Sequence, residues 1–86
     1  MILPKTMAAS PLQRIIISVE LYYGNVLKWY QSKNNGKSWT HMPENDSKQT
    51  LEFTAELKQN GRLLWAEMID EFGQKFYTNP IRLLIQ

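Results

Sequence analysis

Short stretches of alternating apolar and polar residues recur along this chain, and turn-forming residues separate them. Residues 15–22, 26–32 and 50–54 show the two-residue period of strands that bury one face, and residues 62–69 and 75–85 continue the series, with Pro80 marking a break in the last. No stretch shows a long helical period. Strands spaced in this way are typical of two packed antiparallel sheets, so the pattern predicts an all-β sandwich.

Trp29 lies in the middle of the strand predicted over residues 26–32. Asn34, Asn35 and Gly36 follow it, and these residue types tolerate the positive φ angles of a tight hairpin turn. Burial of an indole removes roughly 150–250 Å² from water, which is worth about 4–6 kcal/mol. We therefore expect the domain to fold around Trp29.

The inward positions of the strands predict the core. A helical turn is expected over residues 55–59, and an Asn-Gly pair ends it. Leu57 is assigned to the core because its side chain is expected to pack beneath this turn. Residues 1–12 are predicted to form an extended N-terminal arm, which lies on its own domain or docks on a partner, and residues 13–86 the sandwich. The predicted core residues are Ile17, Val19, Leu21, Leu27, Trp29, Leu51, Phe53, Leu57, Leu64, Ala66, Met68, Leu83 and Ile85.

The strand over residues 62–69 is apolar on both faces. One face belongs to the core, so the other is expected to form a contiguous apolar patch with the neighbouring strands. Soluble monomers seldom leave such a patch bare. The predicted partner-binding residues are Lys28, Tyr30, Leu63, Trp65, Glu67 and Leu84. The alternatives are that the arm or a long loop covers this face, or that the inward and outward positions are exchanged.

Charge and composition argue against some classes of function. The 86 residues suffice for one domain, and ten Lys and Arg against eight Asp and Glu give a net charge of +2. The basic residues are scattered along the sequence, which indicates a solvated surface rather than a nucleic-acid footprint. The absence of cysteine excludes disulfides and thiolate catalysis.

The sequence contains few candidate residues for catalysis or metal binding. His41 is the only histidine and has no other ligand at metal-binding spacing, and residues 44–47 lack the spacing of a calcium loop. The sequence has no nucleophile elbow and no glycine-rich phosphate loop. We expect no enzymatic activity, no metal site and no cofactor.

An ordered set of motifs resembles a known family. The chain contains a Val-Glu strand, a glycine turn, a tryptophan strand, an Asn-Gly-Lys-Ser-Trp turn, a second Asn-Gly pair and a Leu-x-Ile end, at residues 19–20, 24, 28–32, 35–39, 60–61 and 83–85. This order resembles the immunoglobulin-like domains that occur in tandem in bacterial surface proteins and singly in phage structural proteins. The resemblance covers residues 15–86.

The resemblance implies an immunoglobulin-like β-sandwich of about seven short antiparallel strands, with Trp29 as the core tryptophan of strand C. The chain departs from the family at two positions. Leu64 stands where a tyrosine is often found, and Ala66 occupies the position of the strand-F cysteine. The sandwich is therefore expected to hold without a disulfide between its sheets.

The function implied is that of a non-catalytic structural or binding module. A phage capsid or tail decoration protein is expected first, with protein partners in the virion lattice, self-association and weak contacts to glycans or host surfaces. The N-terminus does not resemble a secretory signal and no window is apolar enough to span a bilayer, so we expect cytoplasmic synthesis and a place on the virion surface. The alternatives are one repeat of a longer bacterial cell-surface adhesin, and a small basic domain that binds nucleic acid through Lys28, Tyr30 and Trp65.

Overall fold

A computed structural model describes residues 3–19 and 24–86, and these residues form eight strands and two short 3-10 turns. The 3-10 turns span Pro43–Asn45 and Leu57–Gln59. No helix in this part of the chain is long and apolar enough to cross a membrane. The strands are β1 (Thr6–Ala9), β2 (Arg14–Ser18), β3 (Asn25–Ser32), β4 (Thr40–His41), β5 (Thr50–Thr54), β6 (Leu63–Ile69), β7 (Lys75–Tyr77) and β8 (Ile81–Ile85).

The strands form two sheets, which confirms the predicted all-β sandwich. The larger sheet has six strands in the order β1-β8-β6-β3-β4, and β7 pairs with β6 along the part of it that β8 does not reach. The smaller sheet consists of β2 and β5. Thr78, Asn79 and Pro80 separate β7 from β8, so the break that Pro80 predicted is where one strand becomes two.

The described part of the N-terminal arm contains a strand of the larger sheet. β1 pairs in parallel with β8, with Ala9 opposite Ile85, whereas the other strand pairs described are antiparallel. Leu3 is buried, and its backbone exchanges two hydrogen bonds with the side chain of Asn79, at 2.6 and 3.0 Å. The arm therefore packs on its own domain and supplies part of the core.

Trp29 lies at the centre of the core with none of its side chain exposed. Its indole Nε1 donates a hydrogen bond to the backbone oxygen of Lys48 at 2.8 Å, so the buried polar atom is satisfied. The other members of the buried core cluster come from both sheets and from the arm. They are Leu3, Ile15, Ile17, Val19, Val26, Leu51, Ala55, Leu64, Ala66, Met68, Ile81, Leu83 and Ile85.

The structure places three predicted core residues differently. Leu57 is 62% exposed, because the strand alternation ends with Ala55 buried and the chain then turns into the 3-10 turn that begins at Leu57. Leu27 is only half-buried, because a β-bulge between Val26 and Lys28 lets Val26 and Trp29 both face inward. Phe53 is half-buried and packs against the core. Leu21 lies outside the described residues.

Gly24 precedes β3 at a φ of +96°, a conformation that side chains with a Cβ rarely adopt. A Cβ on this residue would overlap the backbone oxygen of Ile69 at the end of β6. Gly73 has a similar φ of +82°, but a Cβ there would meet no atom within 4 Å. Substitution of Gly73 therefore tests only the cost of the backbone conformation, whereas substitution of Gly24 adds the cost of the steric overlap with Ile69.

Gly73→Ala is expected to lower the free energy of unfolding by about 1–2 kcal/mol, the cost of a left-handed alanine. Gly24→Ala should cost a further ~1–3 kcal/mol, because the backbone of β6 must move away from the new methyl group. Urea unfolding of the two variants measures the difference. Equal losses would show that β3 and β6 do not approach closely at Gly24.

Trp29→Ala is expected to cost about 3–5 kcal/mol, because the substitution removes the largest core side chain and leaves the backbone oxygen of Lys48 without its donor. Ile16→Ala is the matched control: Ile16 is exposed on β2, and its truncation should cost under ~1 kcal/mol. Chemical denaturation followed by circular dichroism measures both. A Trp29→Ala protein as stable as the control would contradict this account of the core.

Candidate functional site

The outer face of the larger sheet is defined by the register between β3 and β6. Inward residues of the two strands, such as Trp29 and Ala66, alternate with pairs that face away from the core. The outward pairs are Lys28 with Glu67, Tyr30 with Trp65, and Ser32 with Leu63.

Three aromatic side chains form an aromatic stack on this face: Trp39, Trp65 and Tyr77. The rings of Trp39 and Trp65 are almost parallel, at 7°, with their centroids 4.1 Å apart, and Tyr77 stacks on Trp65 at 4.8 Å. Trp39 approaches from the β4 side and Tyr77 from the β7 side, so Trp65 lies between them. Stacked aromatic pairs contribute roughly 0.5–1.5 kcal/mol beyond their burial.

The turn after β3 positions Trp39. The hydroxyl of Ser32 accepts a hydrogen bond from the backbone N–H of Gly36 at 2.8 Å, and the side-chain oxygen of Asn34 accepts one from Ser38 at 2.9 Å. Asn35 and Gly36 both adopt positive φ, as the sequence predicted for this turn. The chain is thereby bent back so that Trp39 reaches over the sheet.

Glu67 is a nearly buried carboxylate beside the stack, with 6% of its surface exposed. Tyr77 donates a hydrogen bond from its hydroxyl to Oε2 of Glu67 at 2.8 Å. That hydrogen bond raises the pKa of Tyr77 above its usual value of about 10, and desolvation and the negative charge of Glu67 act in the same direction. The neutral phenol therefore holds the carboxylate in place.

The indole nitrogen of Trp65 has no hydrogen-bond partner in the described part of the chain, although it is buried. The indole nitrogen of Trp29, on the paired strand, instead donates a hydrogen bond to the backbone oxygen of Lys48. An unpaired buried donor costs about 1–3 kcal/mol. We infer that Trp65 is held in this position by the two rings stacked on it rather than by a polar contact.

The predicted partner-binding residues do not all meet at one accessible surface. Leu63 and Glu67 are buried, which corrects their assignment as contact residues. Leu84 is 37% exposed but lies opposite Ala8 and beyond the first residue of β6, so the structure does not bring it next to Trp65. Lys28, Tyr30 and Trp65 are half-buried on the outer face, as is Trp39.

Tyr77 is the accessible aromatic residue that the sequence analysis missed. It is 48% exposed and forms one end of the stack. The alternation of residues 75–77 indicates its position in the sequence, because Phe76 faces inward and leaves Lys75 and Tyr77 on the outer face. The outward positions predicted for residues 75–85 all follow the break at Pro80, so Tyr77 is not among them.

His41 lies at the edge of the same sheet. Its Nε2 is 2.6 Å from Oδ1 of Asp46, and its ring lies 5.6 Å from that of Tyr30. Asp46 follows the Pro43–Asn45 turn, so this pair ties the long loop to the sheet. Within residues 3–19 and 24–86, no group of three or more His, Cys, Asp or Glu is close enough to hold a metal ion.

Tyr77→Phe tests the contact between Tyr77 and Glu67. Folding raises the pKa of Tyr77, so its contact with Glu67 stabilises the folded state fully below about pH 10. This stabilisation is lost as the pH rises through the higher pKa of Tyr77 in the folded state. The wild-type protein should therefore lose stability more steeply than the variant as the pH rises above about 10. Urea unfolding at a series of pH values measures both slopes, and equal slopes would contradict the contact.

No protein-family model matches this chain, and no curated protein is significantly similar to it in sequence.

Proposed function

We propose that this chain is a non-catalytic binding module with an immunoglobulin-like fold, and that it contacts a protein partner through the outer face of its larger sheet. The aromatic stack is the observation that carries this proposal. Tyrosine and tryptophan are the residue types most enriched where binding energy is concentrated. Here they are immobilised by stacking before any partner arrives, so a complex loses little further side-chain entropy.

We further propose that the partner is a phage particle, on which the domain acts as a capsid or tail decoration. The motifs around Trp29 and the Asn-Gly-Lys-Ser-Trp turn support this, through their resemblance to phage immunoglobulin-like domains. β1 is already paired with β8, so the arm is engaged within its own domain and the outer face is left as the surface for attachment. Many copies on one particle allow weak individual contacts to act together.

One repeat of a bacterial surface adhesin is the second candidate. The parallel pairing of β1 and β8 favours it, because the first and the last described strands run in the same direction. The chain thus enters the sheet towards one end and leaves it at the other, which suits domains joined end to end. Neighbouring capsid and tail genes would support the phage proposal, whereas a longer reading frame with repeats would support the adhesin.

Nucleic-acid binding through Lys28, Tyr30 and Trp65 is less favoured. Single-stranded nucleic acids stack their bases on aromatic faces that are open to solvent. Both faces of Trp65 are covered, by Trp39 and Tyr77, and Tyr30 is half-buried beside His41. The aromatic stack therefore suits an apolar protein contact better than base stacking.

Tyr77→Ser is expected to weaken binding to phage particles that lack this chain by about tenfold or more, as measured by cosedimentation. Tyr77→Phe should retain binding because it keeps the ring. Ile16→Ser is the matched control, since Ile16 is similarly exposed but lies on the smaller sheet. An equal loss for Ile16→Ser and Tyr77→Ser, with both variants folded, would contradict the assignment of the outer face.

A further inference from the structure

Four basic side chains from separate parts of the sequence line one groove, which we call the basic groove. They come from the turn after β3, from the second 3-10 turn, from the residue before β6 and from β8. The groove has a volume of about 360 Å³, and none of the residues that line it is acidic. The basic residues are Lys33, Lys58, Arg62 and Arg82, and Asn35 and Asn60 lie beside them.

Neutral acceptors hold the two guanidinium groups in place. Arg82 donates to the backbone oxygen of Gly61 at 3.0 Å and to the side-chain oxygen of Asn35. Arg62 donates to the side-chain oxygen of Gln31 at 3.0 Å. These contacts orient both groups without neutralising them, and they leave further N–H donors on each arginine.

The charges of the groove are largely uncompensated. In the part of the chain that the structure describes, three ion pairs are present, and only that between Lys58 and Glu56 involves a groove residue. Both of its partners are well exposed, so the pair is weak. Lys33, Arg62 and Arg82 form no ion pair within the described residues, and Arg62 also lines a neighbouring cavity, together with Glu44 and Glu52.

We propose that the basic groove binds a tetrahedral oxyanion, a phosphate or sulfate group. Arginine presents its donors in a planar fork that matches the oxygens of such groups, and lysine adds charge without a fixed geometry. Like charges gathered in one groove repel each other, so an anion between them stabilises the folded state. The groove contains no residue of the aromatic stack, and the proposal does not rest on the function proposed above.

The groove suits a compact ligand better than a nucleic-acid strand. Sites for single strands combine a long basic track with aromatic side chains on which bases stack. No aromatic residue lines this groove, and its basic residues form one cluster. Arg14, by comparison, lies on the smaller sheet and is paired with Glu52 at 3.0 Å.

Titration of the labelled protein with inorganic phosphate, sulfate and pyrophosphate at constant ionic strength tests the proposal. Amide NMR shifts should saturate and be confined to residues 33–36, 58–62 and 82. Lys33→Gln is the main variant, because Lys33 makes no side-chain hydrogen bond or ion pair within the described residues and its loss should not unfold the protein. It should weaken pyrophosphate binding by about tenfold, as should Arg82→Gln.

Arg14→Gln is the matched control and should leave the affinity unchanged. Equal weakening by Arg14→Gln and Lys33→Gln, or shifts spread over every basic residue, would show general charge attraction and overturn the proposal. The absence of saturable shifts would overturn it as well. Tighter binding of a thymidine oligonucleotide than of pyrophosphate, through the same residues, would replace the proposed ligand with nucleic acid.

Discussion

The burial of Trp29 is the interaction on which the rest of this structure depends. Its indole fills the space between two sheets that no disulfide joins, and its nitrogen is bonded to the backbone of Lys48. The backbone oxygens of Leu27 and Trp29 accept hydrogen bonds from Ser47 and Met42 at 3.0 and 2.9 Å. One strand thus supplies the centre of the core and also holds the long loop between β4 and β5.

The outer face of the same sheet is stabilised in a different way. Its strands present a tryptophan that would otherwise be exposed, and the protein covers it with aromatic rings from the two sides of β6 rather than with the arm. The result is an ordered surface on which Tyr77, at one end of the stack, is exposed and is held by its hydrogen bond to Glu67. A surface of this kind is suited to binding because it is ordered before contact.

The turn between β3 and β4 connects the two proposed sites. Its first part contributes Lys33 and Asn35 to the basic groove, and its last residue, Trp39, belongs to the aromatic stack. The hydrogen bonds of Ser32 and Asn34 determine the path of the chain between them. Any rearrangement of this short turn would therefore change both surfaces together.

The sequence by itself determined most of the strands, because the alternation of apolar and polar residues is local and most core positions follow from it. It predicted β1 only as part of an extended arm. It failed at Leu27 and Leu57, where a bulge and a 3-10 turn interrupt the alternation. Only the tertiary structure decided that Trp39 stacks on Trp65 and that Arg82 meets Asn35, which lies 47 residues away in the sequence. Such contacts depend on how distant segments pack, and the spacing of residues along the chain carries no signal for them.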